Sequence, residues 1–163
     1  LVSLIGYWLL KNQTHRIILL TVASIGYIFL LDLYTGVFVM ALTGVTWFLG
    51  KFVYEKKTAG VLAGSIVVVT AALLYFKYSN FFLVLIDLRE LKVNEKIFLP
   101  LGISYITFKH ISYLVDIYWE KIERGNFGHF LLYSSFFPIY LAGPIERFEI
   151  FETQLREKIK FTS

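Results

Sequence analysis

The side chains best suited to chemistry lie together in one long apolar stretch, residues 97–118. Lys109, Ser112, Tyr113 and Asp116 follow one another at positions i, i+3, i+4 and i+7, a spacing that lines one face of an α-helix. Ionisable groups at membrane depth are costly and usually face the protein interior or a wet cavity. The pattern therefore predicts a polar wall of a substrate tunnel. The alternative is that Lys109 extends its ammonium group to the membrane surface and that Asp116 lies at the interface.

His110 adjoins Lys109 and is a candidate general base, because histidine titrates near neutral pH. The spacing places no carboxylate to orient its ring, so a hydrogen-bonded structural role is the alternative. His15 and His129 are expected in loops beside the ends of apolar runs. No histidine has a second His or a Glu at i+3 or i+4, so no metal site is predicted.

Other nucleophiles have little support from the sequence. The chain has no cysteine, which excludes thiolate chemistry and Cys-based zinc sites. Ser104, Ser112, Ser134 and Ser135 are hydroxyl candidates, but no G-x-S-x-G nucleophile elbow is present. Serines in membrane helices commonly bond a carbonyl of their own helix, and that interpretation is favoured.

The composition indicates the environment in which these residues work. Hydrophobic residues make up 57% of the chain and aromatic residues 18%, more than a soluble core of 163 residues requires. The net charge is +4, but the basic residues flank apolar runs instead of forming one stripe, so they indicate topology and not nucleic-acid binding. We therefore predict an all-α, multi-pass transmembrane protein in the lipid bilayer of the cell membrane.

The apolar runs predict a single, incomplete membrane domain over residues 1–163. Residues 80–88 are too short to cross the bilayer and favour a re-entrant segment. Apolar residues three and four apart within 146–161 predict an amphipathic helix at the interface. The predicted spans are residues 17–31, 33–49, 60–76, 97–118 and 130–145.

Basic residues determine the predicted orientation only in part. Those before the first span and after the second fall on one side, which the positive-inside rule makes cytoplasmic. Residues 77–96 carry further basic residues and would then lie outside, so the orientation of that loop stays open. The chain starts at Leu1 and stops in a charged segment, so we expect a piece of a longer protein.

Two segments, taken together, resemble a known family. The first reads PLGISYITFK at residues 100–109, followed by SYLVDIY at 112–118. The second reads FFP at 136–138, followed by AGPIERF at 142–148. They resemble the signature helix and the "FFP...AGPI.R" motif of the membrane-bound O-acyltransferase (MBOAT) family, and FKYSNFF at 76–82 resembles its upstream "FKY..FF" element.

The resemblance is closest to the bacterial branch that includes alginate O-acetylation proteins and teichoic-acid D-alanyl transferases. It implies transfer of an acyl group from a cytoplasmic donor, acetyl-CoA or an acyl-carrier protein, with no bound cofactor. The acceptor would be a hydroxyl of an extracytoplasmic glycan or polymer, reached with or without partner export proteins. Lys109 resembles the teichoic-acid branch, whereas residues 113–118 resemble the alginate branch, so the branch stays open.

The resemblance also implies which residues matter. The family's invariant histidine lies in a later helix, and no histidine of this chain falls in a matching motif, so the chain is expected to lack the catalytic histidine. The positions that would line or support the tunnel are Lys109, Tyr113, Asp116, Pro144, Glu146 and Arg147.

Two other classes stay open at this level. Broken helices and intramembrane Lys and Asp would also suit a membrane transporter or a polymer-export subunit. A structural or assembly subunit without acyl chemistry is the third. An intramembrane histidine in the sequence that follows would favour the acyltransferase, and a repeated half would favour the transporter.

Overall fold

The computed structural model describes residues 13–85, 102–122, 125–136 and 147–156, with side chains described as far as residue 78 in the first range and residue 155 in the last. Every regular element within these ranges is a helix, which confirms the all-α prediction. The helices are α1 (Gln13–Leu31), α2 (Leu33–Lys56), α3 (Ala59–Leu85), α4 (Ile103–Tyr118), α5 (Phe127–Ser135) and α6 (Phe148–Arg156).

One residue separates α1 from α2. Asp32 has extended backbone angles, its N–H still donates to the Ile28 carbonyl, and its carboxylate accepts from the Thr35 N–H at 2.5 Å. A side chain that accepts from an otherwise unpaired N–H is a helix N-cap. The charge that interrupts the apolar run in the sequence therefore ends one helix and starts the next.

The junction between α2 and α3 consists of two residues, Lys57 and Thr58. Lys57 adopts the left-handed conformation, with φ 44°, and its N–H donates to the Val53 carbonyl at 3.0 Å. A left-handed residue at this position ends a helix by satisfying one of its last carbonyls. The next helix starts two residues later, so α2 and α3 form a tight helical hairpin.

Helix α3 is longer than the span expected there. It runs without a break from Ala59 to Leu85 and so contains both the predicted span 60–76 and residues 80–85 of the segment predicted to be re-entrant. In the structure these residues continue the third helix, and residues 86–88 lie outside the described ranges. The predicted re-entrant segment therefore has no separate start here.

Three of the described helices are long and apolar enough to cross a membrane: Gln13–Leu31, Leu33–Lys56 and the Ala59–Tyr78 part of α3. Helices α1 and α3 present apolar side chains outward, with Leu30 89% and Val67 64% exposed. A helix that is apolar on its outer face suits a lipid environment. The chain is thus a multi-pass membrane protein.

Helices α4 and α5 pack on α2, and α6 packs on α5. Among the described residues, these three helices supply the buried aromatic side chains. Helix α4 lies within the predicted span 97–118, whose first residues fall outside the described ranges. Helix α5 overlaps the start of the predicted span 130–145 and ends at Ser135. Helix α6 is amphipathic, with Phe148 and Phe151 buried and Ile150 exposed, and it lies within the range 146–161 where an interfacial helix is predicted.

Candidate functional site

Lys109 is held inside the protein by the end of α5. Its side chain is 1% exposed, and its ammonium group donates to the backbone carbonyl of Tyr133. The ammonium nitrogen also lies 3.9 Å from the ring centroid of Tyr133 and 5.5 Å from that of Tyr105. Tyr133 is two residues from the end of α5, where carbonyls lack helical partners and a cation is favoured. Lys109 therefore does not extend toward the membrane surface.

His110 joins three helices. Its Nδ1 lies 3.1 Å from Thr46 Oγ1 on α2, and its Nε2 lies 2.9 Å from Ser134 Oγ on α5. All three side chains are buried. Because buried polar groups are stable only when they are hydrogen-bonded, both nitrogens contribute to the packing of α4 against its neighbours.

The hydrogen bonds around His110 indicate where its proton lies. The hydroxyl of Thr46 donates to the Leu42 carbonyl at 2.8 Å, so its oxygen is left to accept from His110. A neutral imidazole has one N–H, which we assign to Nδ1. Nε2 is then the acceptor for the Ser134 hydroxyl. The result is a directed chain of hydrogen bonds from α5 through α4 to α2.

Tyr113, one of the predicted tunnel residues, belongs to an aromatic cluster formed by α4, α5 and α6. Its ring stacks on Phe130 with centroids 4.1 Å apart and meets the edge of Phe148 at 5.2 Å. On the other side, a Cβ added at Gly50 would lie 3.1 Å from the Tyr113 ring. Glycine at position 50 thus allows α2 to approach α4 closely at this tyrosine.

Asp116 is buried near the C-terminal end of α4. Its Oδ2 has no hydrogen-bond partner within the part of the chain that the structure describes. Arg147 and Lys121 attract its carboxylate, and Glu149 repels it. The structure therefore brings Asp116 and Arg147, two of the predicted residues, into electrostatic range of each other across the start of α6.

The other predicted residues are placed as follows. Arg147 is exposed and immediately precedes α6. Pro144 and Glu146 lie outside the described residues. His15 and His129 were expected in loops, but they lie in α1 and α5, and His129 Nδ1 is 3.3 Å from Glu152 on α6. Within the described ranges, no group of three His, Cys, Asp or Glu residues is arranged to hold a metal ion.

An exposed ion pair ties the turn after α2 to the turn after α4. Lys57 Nζ donates to Glu120 at 2.6 Å, and that hydrogen bond raises the pKa of the lysine. Both side chains are about half exposed, so the pair contributes little to stability. Its position shows instead that the ends of α2 and α4 lie side by side.

The buried polar cluster, formed by Thr46, Lys109, His110 and Ser134, has two members that the sequence does not indicate. Nothing in the sequence marks Thr46, and a hydrogen bond within its own helix is the favoured interpretation for Ser134. Thr46 lies 64 positions from His110, and Ser134 lies 24 positions away. No local pattern connects them. A serine, a histidine and a third orienting group also form nucleophilic sites, but burial on all sides makes this cluster better suited to holding helices.

The fold defines the class of the protein: an all-α, multi-pass membrane protein with a buried polar cluster between α2, α4 and α5. No family model matches the chain, and no solved structure matches it. It is similar, however, to curated membrane acyltransferases.

The chain is 32% identical over 162 residues to the probable alginate O-acetylase AlgI of Pseudomonas aeruginosa, covering 89% of this chain and 30% of that protein. It is 31% identical over 80 residues to the teichoic acid D-alanyltransferase of Streptococcus thermophilus, covering 45% of the chain and 19% of that protein. It is 31% identical over 111 residues to the peptidoglycan O-acetyltransferase of Helicobacter pylori, covering 52% and 21%.

These similarities confirm the predicted relationship to the membrane-bound O-acyltransferase family. The chain spans about a third or less of the length of the curated relatives that it matches.

Proposed function

We propose that the protein is a membrane acyltransferase that acts on an extracytoplasmic polymer, and that this chain supplies helices supporting its reaction site. The observation that carries the proposal is the similarity to a protein named probable alginate O-acetylase over 89% of the chain. The match to a teichoic acid D-alanyltransferase covers 45%. An acetyl group is therefore the acyl group that we propose first, with D-alanyl second.

In the proposed reaction, the hydroxyl oxygen of the acceptor forms a bond to the acyl carbon. The bond between that carbon and the donor's leaving group breaks, and the hydroxyl proton passes by way of a base to the leaving group. The donor would be acetyl-CoA or an acylated carrier protein on the cytoplasmic side of the plasma membrane. No described residue is assigned the role of the base, because Lys109 and His110 are engaged with other helices.

The support role is drawn from the polar cluster. Lys109 and His110 are adjacent on α4, and their partners Tyr133 and Ser134 are adjacent on α5. Asp116, Arg147 and Tyr113 lie further along the same helix or against it. We infer that α4 is the element that fixes α5 and the start of α6 against α2.

To test the proposal, the acyl content of the extracellular polymer is compared between wild-type cells and cells that lack the gene. Extracellular polymer is purified, ester-linked groups are released with mild base, and acetate and D-alanine are measured. We expect the released acetate to disappear in the deletion strain and to return on complementation. Loss of D-alanine in its place would identify the second acyl group.

Unchanged amounts of both acyl groups would contradict the proposal. A fall in the amount of exported polymer, with normal acyl groups on what remains, would support the transporter or export class.

A further inference from the structure

We propose that His110 is a positioning residue, which together with Lys109 holds the carboxyl end of α5 in register against α2 and α4. The inference rests on the proposed acyltransferase function for its activity measurement. Its structural part depends only on the contacts of the two side chains.

The contacts of Lys109 and His110 depend on how α5 is aligned along α4. Two consecutive residues of α4 bond two consecutive residues of α5, Lys109 to the Tyr133 carbonyl and His110 to the Ser134 hydroxyl. His110 has a second bond, to Thr46 on α2. Because these bonds are buried, a slip of α5 by one residue would leave the His110 ring without its Ser134 partner in surroundings where an unpaired polar group is costly.

The end of α5 also contacts the start of α6. The ring centroids of Tyr133 and Phe148 lie 5.3 Å apart, so the end of α5 and the start of α6 are in contact. Phe148 also meets Tyr113, which is four residues after Lys109, about 6 Å along α4. The Lys109 and His110 bonds and the Phe148 contact therefore fix the start of α6 as well as the end of α5.

A matched pair of serines isolates the bond to His110. Ser134 and Ser135 are neighbours on α5, and each is 1% exposed. Ser134 bonds His110, whereas Ser135 donates to the Leu131 carbonyl of its own helix at 2.8 Å. Replacing either by alanine removes one hydroxyl from the same buried turn. Only the change at Ser134 leaves His110 Nε2 without its donor.

The experiment compares Ser134→Ala, Ser134→Thr and Ser135→Ala in the protein as expressed in its membrane. Melting temperature is measured in mild detergent, and kcat and KM are measured for transfer of a radiolabelled acyl group to the purified polymer. We expect Ser134→Ala to lower the melting temperature by several degrees and to lower kcat on the order of tenfold or more, with KM little changed. Ser134→Thr should restore most of both values, and Ser135→Ala should resemble the wild type.

Equal effects of Ser134→Ala and Ser135→Ala in an active protein would overturn the inference and leave the proposed function standing. A wild-type protein without acyl transfer would remove the proposed function, while the difference in melting temperature would still test the positioning role. A labelled, hydroxylamine-sensitive acyl adduct on Ser134 would overturn the positioning role in favour of a covalent one.

Discussion

Lys109 is a charged side chain inside an apolar fold, and its surroundings account for its burial. Its ammonium group meets the carbonyl end of α5 and the faces of two tyrosine rings. The helix dipole, a charge-assisted hydrogen bond and cation–π contacts each offset part of the cost of removing the charge from water. The lysine thus has an internal partner and does not need the membrane surface.

We expect Lys109→Ala to be much more damaging than Lys56→Ala. The first change removes a buried donor from the Tyr133 carbonyl and should lower the free energy of unfolding by about 1–3 kcal/mol. The second alters an exposed residue at the end of α2 and should stay within about 0.5 kcal/mol.

Thermal unfolding in detergent and acyl transfer in membranes provide the two measurements for this pair. Both values should fall further for Lys109→Ala. If the two variants behave alike, Lys109 is not a supporting residue.

At the scale of the helices, a glycine can allow two helices to pack closely, but only where a neighbouring helix lies beside it. A Cβ added at Gly36 of α2 would lie 2.8 Å from the Phe29 ring of α1. The same atom at Gly44, further along α2, would meet nothing within 4 Å. The two glycines share a helix but differ in whether a neighbouring helix occupies the space beside them.

Replacing each of these two glycines by alanine should therefore change the stability of the protein in different directions. Gly36→Ala should destabilise the α1–α2 hairpin by about 1–3 kcal/mol through overpacking. Gly44→Ala should be neutral or stabilising by up to about 1 kcal/mol, because alanine is the better helix former.

Melting temperatures of the two glycine variants in one detergent provide the comparison. A shift of the same sign and size in both would mean that α1 does not pack on α2 at Phe29.

Helix α6 has two buried aromatic side chains, Phe148 and Phe151, and Phe148 is the more completely buried of the two. Phe148 is 0% exposed and meets the rings of Tyr113, Phe130 and Tyr133, whereas Ile150 on the same helix is 50% exposed. Phe148→Ala should cost about 3–5 kcal/mol and release α6 from α4 and α5. Ile150→Ala should leave the docking of α6 intact.

Limited proteolysis after each of these changes reports on α6 directly. Faster cleavage within α6 is expected for Phe148→Ala only. Resistance in both variants would show that other contacts are sufficient to hold the helix.

At the scale of the whole molecule, the distribution of apolar and ionisable side chains suits a lipid bilayer. Helices α1, α2 and α3 carry exposed apolar side chains, and α2 is also packed against α1, α3, α4 and α5. Among the described residues, the buried lysine, histidine and carboxylate side chains are Lys109, His110 and Asp116, and they lie on α4, away from the outer faces. This arrangement places the costly groups where protein replaces lipid as their surroundings.

The absence of cysteine in the chain allows a direct test of its topology. Leu33 and Thr58 are exposed residues at the two ends of α2. If α2 crosses the bilayer with its basic end inside, Leu33→Cys should react with an impermeant maleimide in intact cells, and Thr58→Cys should react only after lysis. Labelling of both before lysis, or of Thr58→Cys alone, would overturn this orientation.

Much of the helical framework was predictable because its signals are local. Continuous apolar runs predicted the long helices, and Asp32 marked the boundary between α1 and α2 through its own backbone contacts. The segment at 80–88 was harder. Its short apolar length suggested a separate re-entrant element, but residues 80–85 continue α3, since no Pro or Gly interrupts the helix there.

The sequence by itself determined the all-α class, the membrane environment, the family resemblance and the helix that carries the polar residues. Only the tertiary structure decided what those residues do. Lys109 was equally compatible with a surface position and an internal one until the end of α5 supplied its acceptor. The partners of His110 lie 24 and 64 positions away, and hydrogen bonds between distant segments depend on how helices pack, which no local spacing records.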